Sequence, residues 1–292
     1  RRPTRPRTTT TTKPPTQWSA FQALLQKYPF PTAAQSQPDE YDADLFASIH
    51  QHHADILTFG ENGRQALDEE IRRLARAKKQ QQQAKSNVHN QTTVPTVVIL
   101  EVGVWFGSSL ARWLNVHPAV HVIGVDPFGV DTTTHGKFTE LSPSQRQRLR
   151  PMQRSLAAYT IEQKTMQPNN NKAAPPASQR TLLLQGMYPR AAQPLWESPR
   201  DDLVDLFYLD GGKTKNITKH LEFVRATLTN IWQRYPRCLV AGDDWSWGDG
   251  RHAGRFQALI QRLAAQYGKV LDVQDGRTWI LRNPKTTTTA SN

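Results

Sequence analysis

The stretch that most constrains the fold is VVILEVGVWFGSSL, at residues 97–110. An apolar, β-branched run ends in an acid, a turn with two glycines follows, and the next residues can begin a helix, so the order predicts strand, tight loop and helix. Gly103 and Gly107 permit backbone angles and close approaches that a Cβ atom would prevent, which suits a loop folded over a ligand. Trp105 stands where dinucleotide-binding loops need a glycine, and no G-K-[ST] follows. We therefore expect a ligand that is neither a dinucleotide nor a nucleoside triphosphate.

The chain from residue 94 onward alternates strand-like and helix-like segments, which is typical of an α/β fold. Asp275-Gly276 is a strong hairpin signal between the last two apolar segments. We expect a Rossmann-like sheet of seven mostly parallel strands that ends in an antiparallel hairpin. The predicted strands are 97–102, 121–125, 181–184, 204–209, 238–241, 270–273 and 278–281. The predicted helices in this part of the chain are 108–114, 144–159, 217–232 and 252–267.

The N-terminal third combines a low-complexity tail with segments that have helical spacing. Residues 1–16 are rich in Thr, Pro and Arg and cannot bury enough apolar surface to become ordered. Trp18, Phe21 and Leu24 recur at helical spacing, and a charged helix is predicted over 61–85. We expect these helices to pack on the main domain or to cover its ligand site. The predicted segments are a disordered tail (1–16), a helical extension (17–88), the ligand-binding domain (89–283) and a second disordered tail (284–292).

The net charge of +12, with a pI near 10.0, would suit a nucleic acid or another anionic partner. The first 13 residues alone carry five of the positive charges and no acid. A solvated tail and basic helix faces are therefore favoured over a dedicated nucleic-acid groove.

Other features bear on the compartment. Cys238 is the single cysteine, so an intramolecular disulfide and a cysteine-rich zinc site are excluded. No apolar run approaches the roughly 20 residues that cross a bilayer. The Thr/Pro-rich beginning, two N-x-[ST] triplets at Asn90 and Asn216, and the absence of an initiator Met favour the secretory lumen, with the cytoplasm as the alternative.

The pattern E-x-G-x-x-x-G-x-S at Glu101 resembles the first motif of class I S-adenosylmethionine (SAM) methyltransferases. Two glycines alone would also suit a purely structural turn. The next predicted strand ends at Asp126, where a doubly wound fold places a ribose-binding acid, and in this family that acid holds the ribose of SAM. The resemblance implies SAM as cofactor. The cofactor-binding residues that it implies are Glu101, Gly103, Gly107, Ser109, Asp126, Gln185 and Asp210.

Acids also follow the fourth and fifth predicted strands. Asp210 ends VDLFYLD, and Asp243 and Asp244 follow CLVAG. Because these strands are expected to be neighbours, about 4.8 Å apart, their carboxylates would converge and repel unless a cation lies among them. Oxygen ligands without His or Cys favour Mg²⁺. The alternative is that Asp243 and Asp244 cap the next helix or pair with Arg251 or Arg255.

The string D-G-G-K that begins at Asp210, followed by D-D after the fifth strand, resembles metal-dependent O-methyltransferases of the catechol and caffeoyl-CoA type. Macrocin-type sugar O-methyltransferases are similar. By this resemblance Asp210, Asp243 and Asp244 would bind Mg²⁺, and Lys213 would take the proton of the acceptor hydroxyl. His252 is the second choice for that base. Lys213 matches the catechol type and Asp244 the sugar type, so the acceptor class stays open.

The resulting prediction is a SAM-dependent and Mg²⁺-dependent O-methyltransferase that acts on a small hydroxylated molecule, a sugar or a phenol. Two alternatives remain. The charge of +12 suggests a nucleic-acid methyltransferase of the same fold, although a nucleic-acid partner is not favoured. The other alternative is a SAM-binding module that kept the fold and lost turnover, which fold-level analogy does not exclude.

Overall fold

The computed structural model describes residues 16–32, 39–58, 64–89, 95–166, 174–198, 200–214, 216–243, 245–248 and 250–284, with backbone only for 85–89. The predicted disordered tails therefore lie almost entirely outside the described residues. The predicted boundaries of the segments stay predictions.

Seven strands form one sheet in the order β3-β2-β1-β4-β5-β7-β6. The first five strands run parallel, and β7 pairs antiparallel with both β5 and β6. The expected fold class, a Rossmann-like sheet with a C-terminal antiparallel hairpin, is confirmed, and it is the sheet that the resemblance to class I methyltransferases implies. The strands are β1 Val97–Val102, β2 Val120–Asp126, β3 Thr181–Gln185, β4 Leu206–Leu209, β5 Leu239–Gly242, β6 Val270–Gln274 and β7 Thr278–Arg282.

The first strand shows why the sheet is covered on both faces. Every residue of β1 is buried, and successive side chains point to opposite faces. Val98 and Leu100 enter the core on one side, whereas Val97 and Ile99 enter the core on the other. A near-continuous apolar run of this kind is what a parallel strand between two helical layers requires.

Helices form both layers. The helices are α1 Gln17–Lys27, α2 Ala43–His52, α3 Gln65–His89, α4 Ser108–Val116, α5 Pro143–Leu149, α6 Gln153–Thr165, α7 Gln193–Trp196, α8 Ile217–Arg234 and α9 Gly250–Gln266. The first core contains residues of α1, α8 and α9, and the second contains residues of α3, α4 and α6. A third cluster joins α2 to the segment that follows β2. No helix among the described residues has the length and apolarity that crossing a membrane would need.

One predicted helix is two helices in the structure. The pattern over 144–159 was expected to form a single helix, but α5 and α6 are separated by a short 3₁₀ turn, Arg150–Met152. Pro151 lies at the centre of that turn. Proline has no N–H to donate and its ring clashes with the preceding helical turn, so the helix is interrupted there.

One buried acid fastens the N-terminal helices to the sheet. Asp205, just before β4, accepts hydrogen bonds from Lys78 Nζ at 2.7 Å, Gln17 Nε2 at 2.9 Å and the backbone N–H of Val98 at 2.9 Å. Burial raises the pKa of Asp205, and Lys78 works against that rise. Because the partners belong to α3, α1 and β1, this single carboxylate ties the extension to the start of the two central strands.

His121 of β2 contributes to the docking of α1. Its ring lies 4.7 Å from the Trp18 ring and 5.1 Å from the Phe21 ring, measured between centroids, and the residue is 4% exposed. Burial lowers the pKa of His121 to about 4. The imidazole is therefore neutral in the folded protein at pH values where it would be charged in the unfolded chain.

Acidification should destabilise the fold through His121. Between its unfolded pKa of 6.5 and its folded pKa of about 4, only the unfolded chain takes up the proton, so stability falls as the pH falls through this window. His121→Phe keeps an aromatic ring beside α1 and removes the titration. Relative to this variant, the wild-type protein should lose about 2 kcal/mol of unfolding free energy between pH 7 and pH 5. Urea unfolding of both proteins at the two pH values measures this; equal losses would contradict it.

Candidate functional site

The loop between β1 and α4 is shaped by two glycines in the left-handed region. Gly103 has φ of 93°, and a Cβ atom there would lie 2.6 Å from the Cα of Gly211, in the loop after β4. Gly107 has φ of 83°, and its Cβ would lie 2.7 Å from the carbonyl oxygen of Ala157. Neither position has room for a side chain. At Gly103 the loops that follow β1 and β4 therefore lie directly against each other, and at Gly107 the loop lies directly against α6.

Trp105 also adopts a left-handed conformation, with φ of 54°, which is unusual for a bulky residue. Its indole Nε1–H donates to the carbonyl oxygen of Ile56 at 2.7 Å, and its ring lies 6.0 Å from the ring of Phe138. These contacts hold the backbone in place. The 3₁₀ turn Ala54–Leu57 of the extension thereby packs on the glycine loop.

Asp126 closes the loop from the end of β2. Its Oδ2 accepts from the backbone N–H groups of Val104 at 2.9 Å and Trp105 at 3.2 Å, and its Oδ1 accepts from that of Phe128 at 2.6 Å. Burial raises the pKa of Asp126, and the three hydrogen bonds oppose that rise. The carboxylate therefore fixes the conformation of the glycine loop.

A cavity of about 440 Å³ lies at the carboxyl ends of the first four strands. This is where open α/β sheets bind their ligands, and the volume falls in the range of about 300–1,000 Å³ that is usual for small-molecule sites. The structure brings three of the predicted cofactor-binding residues, Gly103, Asp126 and Asp210, together in its wall. The wall also contains Trp105, His135, Met187, Tyr188, Lys213 and Phe223.

Three other predicted cofactor-binding residues lie away from this wall. The alternation along β1 turns Glu101 toward α4, where it accepts hydrogen bonds from the Ser109 hydroxyl and from Trp113 Nε1, the latter at 2.8 Å. Gly107 is the residue before α4 and packs on α6. Burial raises the pKa of Glu101 to about 8. In this geometry Glu101 and Ser109 brace β1 against α4.

At the end of β3, the residue that lines the cavity lies one position after the predicted Gln185. Gln185, the predicted neighbour of the adenine, is exposed and does not contribute to the cavity wall. Gly186 does line the cavity, with φ of 132°. A role for Gln185 stays a prediction.

Asp210 and Asp243 converge at the ends of β4 and β5, as the sequence predicts, but the cation beside them comes from elsewhere in the chain. Nη2 of Arg64 lies 2.9 Å from Asp210 Oδ2 and 3.4 Å from Asp243 Oδ2. Arg64 immediately precedes α3 in the N-terminal extension and is 1% exposed. Asp244, the third predicted metal ligand, lies outside the described residues.

Arg64 is held by aromatic rings as well as by acids. Its guanidinium carbon lies 5.1 Å from the ring centroid of Tyr208 and 5.8 Å from that of Trp113, within cation–π range. Burial works against the charge on Arg64, but Tyr208 and the surrounding carboxylates outweigh it and raise the pKa of the guanidinium. The chain positions of Arg64 and Asp210 differ by 146, and no local pattern marks Arg64, so sequence reasoning missed it.

The described residues do not fit the predicted Mg²⁺ site. Mg²⁺ takes oxygen ligands at about 2.0–2.1 Å in octahedral geometry. Here Arg64 contacts both carboxylates, and Lys213 Nζ lies 2.6 Å from the other oxygen of Asp210. Across the described part of the chain, no group of three or more His, Cys, Asp or Glu residues could hold a metal ion. The repulsion that suggested a metal is offset by protein cations.

Lys213 stands where two cavities meet. A second cavity of about 10 Å³, close to the size of one water molecule, is lined by residues that include Asp210, Lys213, His220 and Asp243. Asp210 and Lys213 line the large cavity as well. The ammonium group of Lys213 is therefore placed between the ligand cavity and the paired acids.

His220, which the sequence does not single out, lies beside His252, the second choice for the base. His220 Nδ1 lies 2.9 Å from His252 Nε2, and both residues are buried, but of the two it is His220 that lines the small cavity. Burial, with smaller effects of His252 and Lys213, lowers the pKa of His220 to about 4. Its position in the first turn of α8, shortly after the D-G-G-K string, is the signal that could have identified it. The predicted role of His252 stays untested.

The comparisons with known proteins found similarity of fold alone. No family model matches the chain, and no curated protein matches it either. A Staphylococcus aureus protein provisionally assigned as a caffeoyl-CoA O-methyltransferase is 14% identical with a TM-score of 0.39, and the match covers 83% of this chain and 93% of that one. A human methyltransferase 10 domain containing protein is 9% identical with a TM-score of 0.42, covering 82% and 95%. Human methyltransferase-like protein 13, solved with SAH, is 12% identical with a TM-score of 0.39, covering 67% and 76%.

The buried position of Glu101 gives a testable pH effect. Its folded pKa of about 8 lies above its ordinary value of 4.5, so between these values the folded state holds a proton that the unfolded chain has lost, and the stabilisation is lost progressively as the pH rises from 4.5 to 8. Glu101→Gln imitates the protonated acid, because the amide can donate to Ser109 and accept from Trp113. The stability of the wild type relative to this variant should fall by roughly 3 kcal/mol between pH 5 and pH 8. Urea unfolding measures the difference, and a difference that does not change with pH would refute the assignment.

Proposed function

We propose that the chain is a SAM-dependent methyltransferase that transfers a methyl group to a hydroxyl of a small molecule. The observation that carries the proposal is the cavity of about 440 Å³ at the carboxyl ends of β1 to β4. The glycine loop, Asp126, the end of β3 and the Asp210 loop contribute to one wall. These are four of the positions that the sequence resemblance assigns to SAM binding.

The residues present fit SAM. The tight contact between the loops of Gly103 and Gly211 leaves the cavity a floor of bare backbone, which a ligand can approach closely. The carboxylate of Asp126 can accept hydrogen bonds from hydroxyl groups such as those of a ribose. The rings of Tyr188 and Phe223 offer apolar surface to a flat heteroaromatic group.

Lys213 is the residue to which we assign proton transfer. Bound SAM supplies an activated methyl group, and such a transfer is an in-line displacement in which positioning accounts for much of the lowering of the barrier. Lys213 Nζ is held 2.6 Å from Asp210 Oδ1, at the junction of the two cavities. The ammonium group that pairs with Asp210 would first have to lose its proton, and the resulting neutral amine would then take the proton of the acceptor hydroxyl. The neutral imidazole of His220 borders the small cavity, which has room for about one water molecule that His220 can hydrogen-bond.

The cofactor assignment predicts a contrast between two glycines. A Cβ atom at Gly103 would meet the backbone of Gly211, so Gly103→Ala should displace the loop and weaken SAM binding by at least tenfold. Gly254 lies on the exposed side of α9, and a Cβ atom there meets nothing within 4 Å, so Gly254→Ala should leave SAM binding unchanged. Isothermal titration of SAM into the wild type and both variants makes the test. Absence of SAM binding to the wild-type protein would end the proposal.

The base assignment predicts a loss of turnover with retained cofactor binding. Lys213→Met should lower kcat by about 10²–10⁴, the usual contribution of a general base, and leave the Kd for SAM within about threefold. Lys219→Met, an exposed lysine six positions further on, is the matched control and should behave like the wild type. Methyl transfer to a mixed pool of catechols and sugars supplies the assay. Full activity of Lys213→Met would remove Lys213 from the mechanism, and transfer to added RNA but not to the pool would favour the nucleic-acid alternative.

A further inference from the structure

The polar centre beneath the small cavity is electrically balanced by the protein itself. Asp210 uses both carboxylate oxygens, Oδ2 toward Arg64 at 2.9 Å and Oδ1 toward Lys213 at 2.6 Å. Asp243 shares Arg64, at 3.4 Å. Two carboxylates face one guanidinium and one ammonium group, so the formal charges of these four side chains sum to zero.

Arg64 is fixed in this position from three directions. The rings of Tyr208 and Trp113 lie within 6 Å of its guanidinium carbon, and its side chain is only 2% exposed. Its carbonyl oxygen accepts the N–H of Asp68 at 3.2 Å, in the first turn of α3. Asp68 in turn pairs with Arg112 of α4 at 2.8 Å. The two rings therefore enclose the guanidinium, and the Asp68–Arg112 pair holds the start of α3 on α4.

We infer that Arg64 occupies the position of a divalent cation at this site, holding Asp210 and Asp243 in place and excluding metal from them. A divalent ion would have to displace a buried guanidinium that hydrogen-bonds both acids, and would leave that charge unpaired in the interior, which is strongly unfavourable. It would also add positive charge to a centre that is already neutral. Any effect of Arg64 on acceptor binding would rest on the function proposed above, whereas the exclusion of metal can be tested without SAM.

Removal of the guanidinium should therefore create a cation site. Arg64→Met keeps a long unbranched side chain beside the two aromatic rings and removes the charge. Calorimetric titration with Mn²⁺, without SAM, should show no binding at Asp210 and Asp243 in the wild type. The Arg64→Met protein should bind Mn²⁺ at least tenfold more tightly than the wild type, because the two carboxylates then lose the guanidinium that hydrogen-bonds both of them.

Two further variants separate this role from simple structural support. Arg64→Lys restores a cation at the same place and should exclude Mn²⁺ as the wild type does. Adding Asp243→Asn to Arg64→Met should abolish the gained affinity. Thermal unfolding of each protein confirms that the titrated species is folded.

The inference is overturned by either of two results. One is Mn²⁺ binding to the wild-type protein that Asp243→Asn removes, since the metal and Arg64 would then share the site. The other is a folded Arg64→Met protein that binds Mn²⁺ no better than the wild type. If Arg64→Met does not fold, the wild type and Asp243→Asn still decide, because binding that depends on Asp243 refutes the inference and its absence supports it. SAM titration of the same wild-type sample tests the proposed function separately.

Discussion

A parallel sheet collects the last residues of its strands along one edge, and in this chain β2, β4 and β5 end in or are directly followed by an acid whose charge must be offset at short range. The structure offsets them in different ways. Asp126 receives three backbone N–H groups, and Asp210 and Asp243 share Arg64. Glu101, one residue inside the edge, has its pKa raised to about 8 by burial and so is largely neutral at pH 7. The shape of the ligand cavity follows from these pairings, because they fix the loops that form its walls.

The features that the sequence predicts correctly are the ones that local chemistry determines. The apolar, β-branched run at residues 97–102 predicts β1 to the residue, and the Asp-Gly turn identifies the final hairpin. The convergence of Asp210 and Asp243 follows from the adjacency of β4 and β5, which strand order alone makes probable in a doubly wound sheet. Each of these inferences needs only a short window of sequence together with one rule about sheets.

The features that sequence reasoning missed depend on contacts between distant segments. Arg64 reaches Asp210 across 146 positions, and nothing in its own neighbourhood indicates that it will be buried among acids. The expectation of Mg²⁺ followed from an inventory of charges that omitted this residue. The position of His220 beside the small cavity is likewise not predicted by the sequence, because it is set by how α8 packs against α9. The orientation of Glu101, by contrast, could have been predicted, because side chains alternate along β1 and that alternation turns Glu101 toward α4.

Because Arg64 belongs to the N-terminal extension, truncating the chain before β1 would remove part of the polar centre. A shortened chain that began at β1 would contain every residue of the large cavity's wall and the complete sheet. It would nevertheless lack the guanidinium between Asp210 and Asp243, along with the partners Lys78 and Gln17 of Asp205. Such a fragment would leave Asp205 and Asp243 without the cations that pair with them in this structure, and it would expose the core residues that α1 and α3 cover. The part of the chain that forms the cavity wall is therefore not expected to fold independently of the extension.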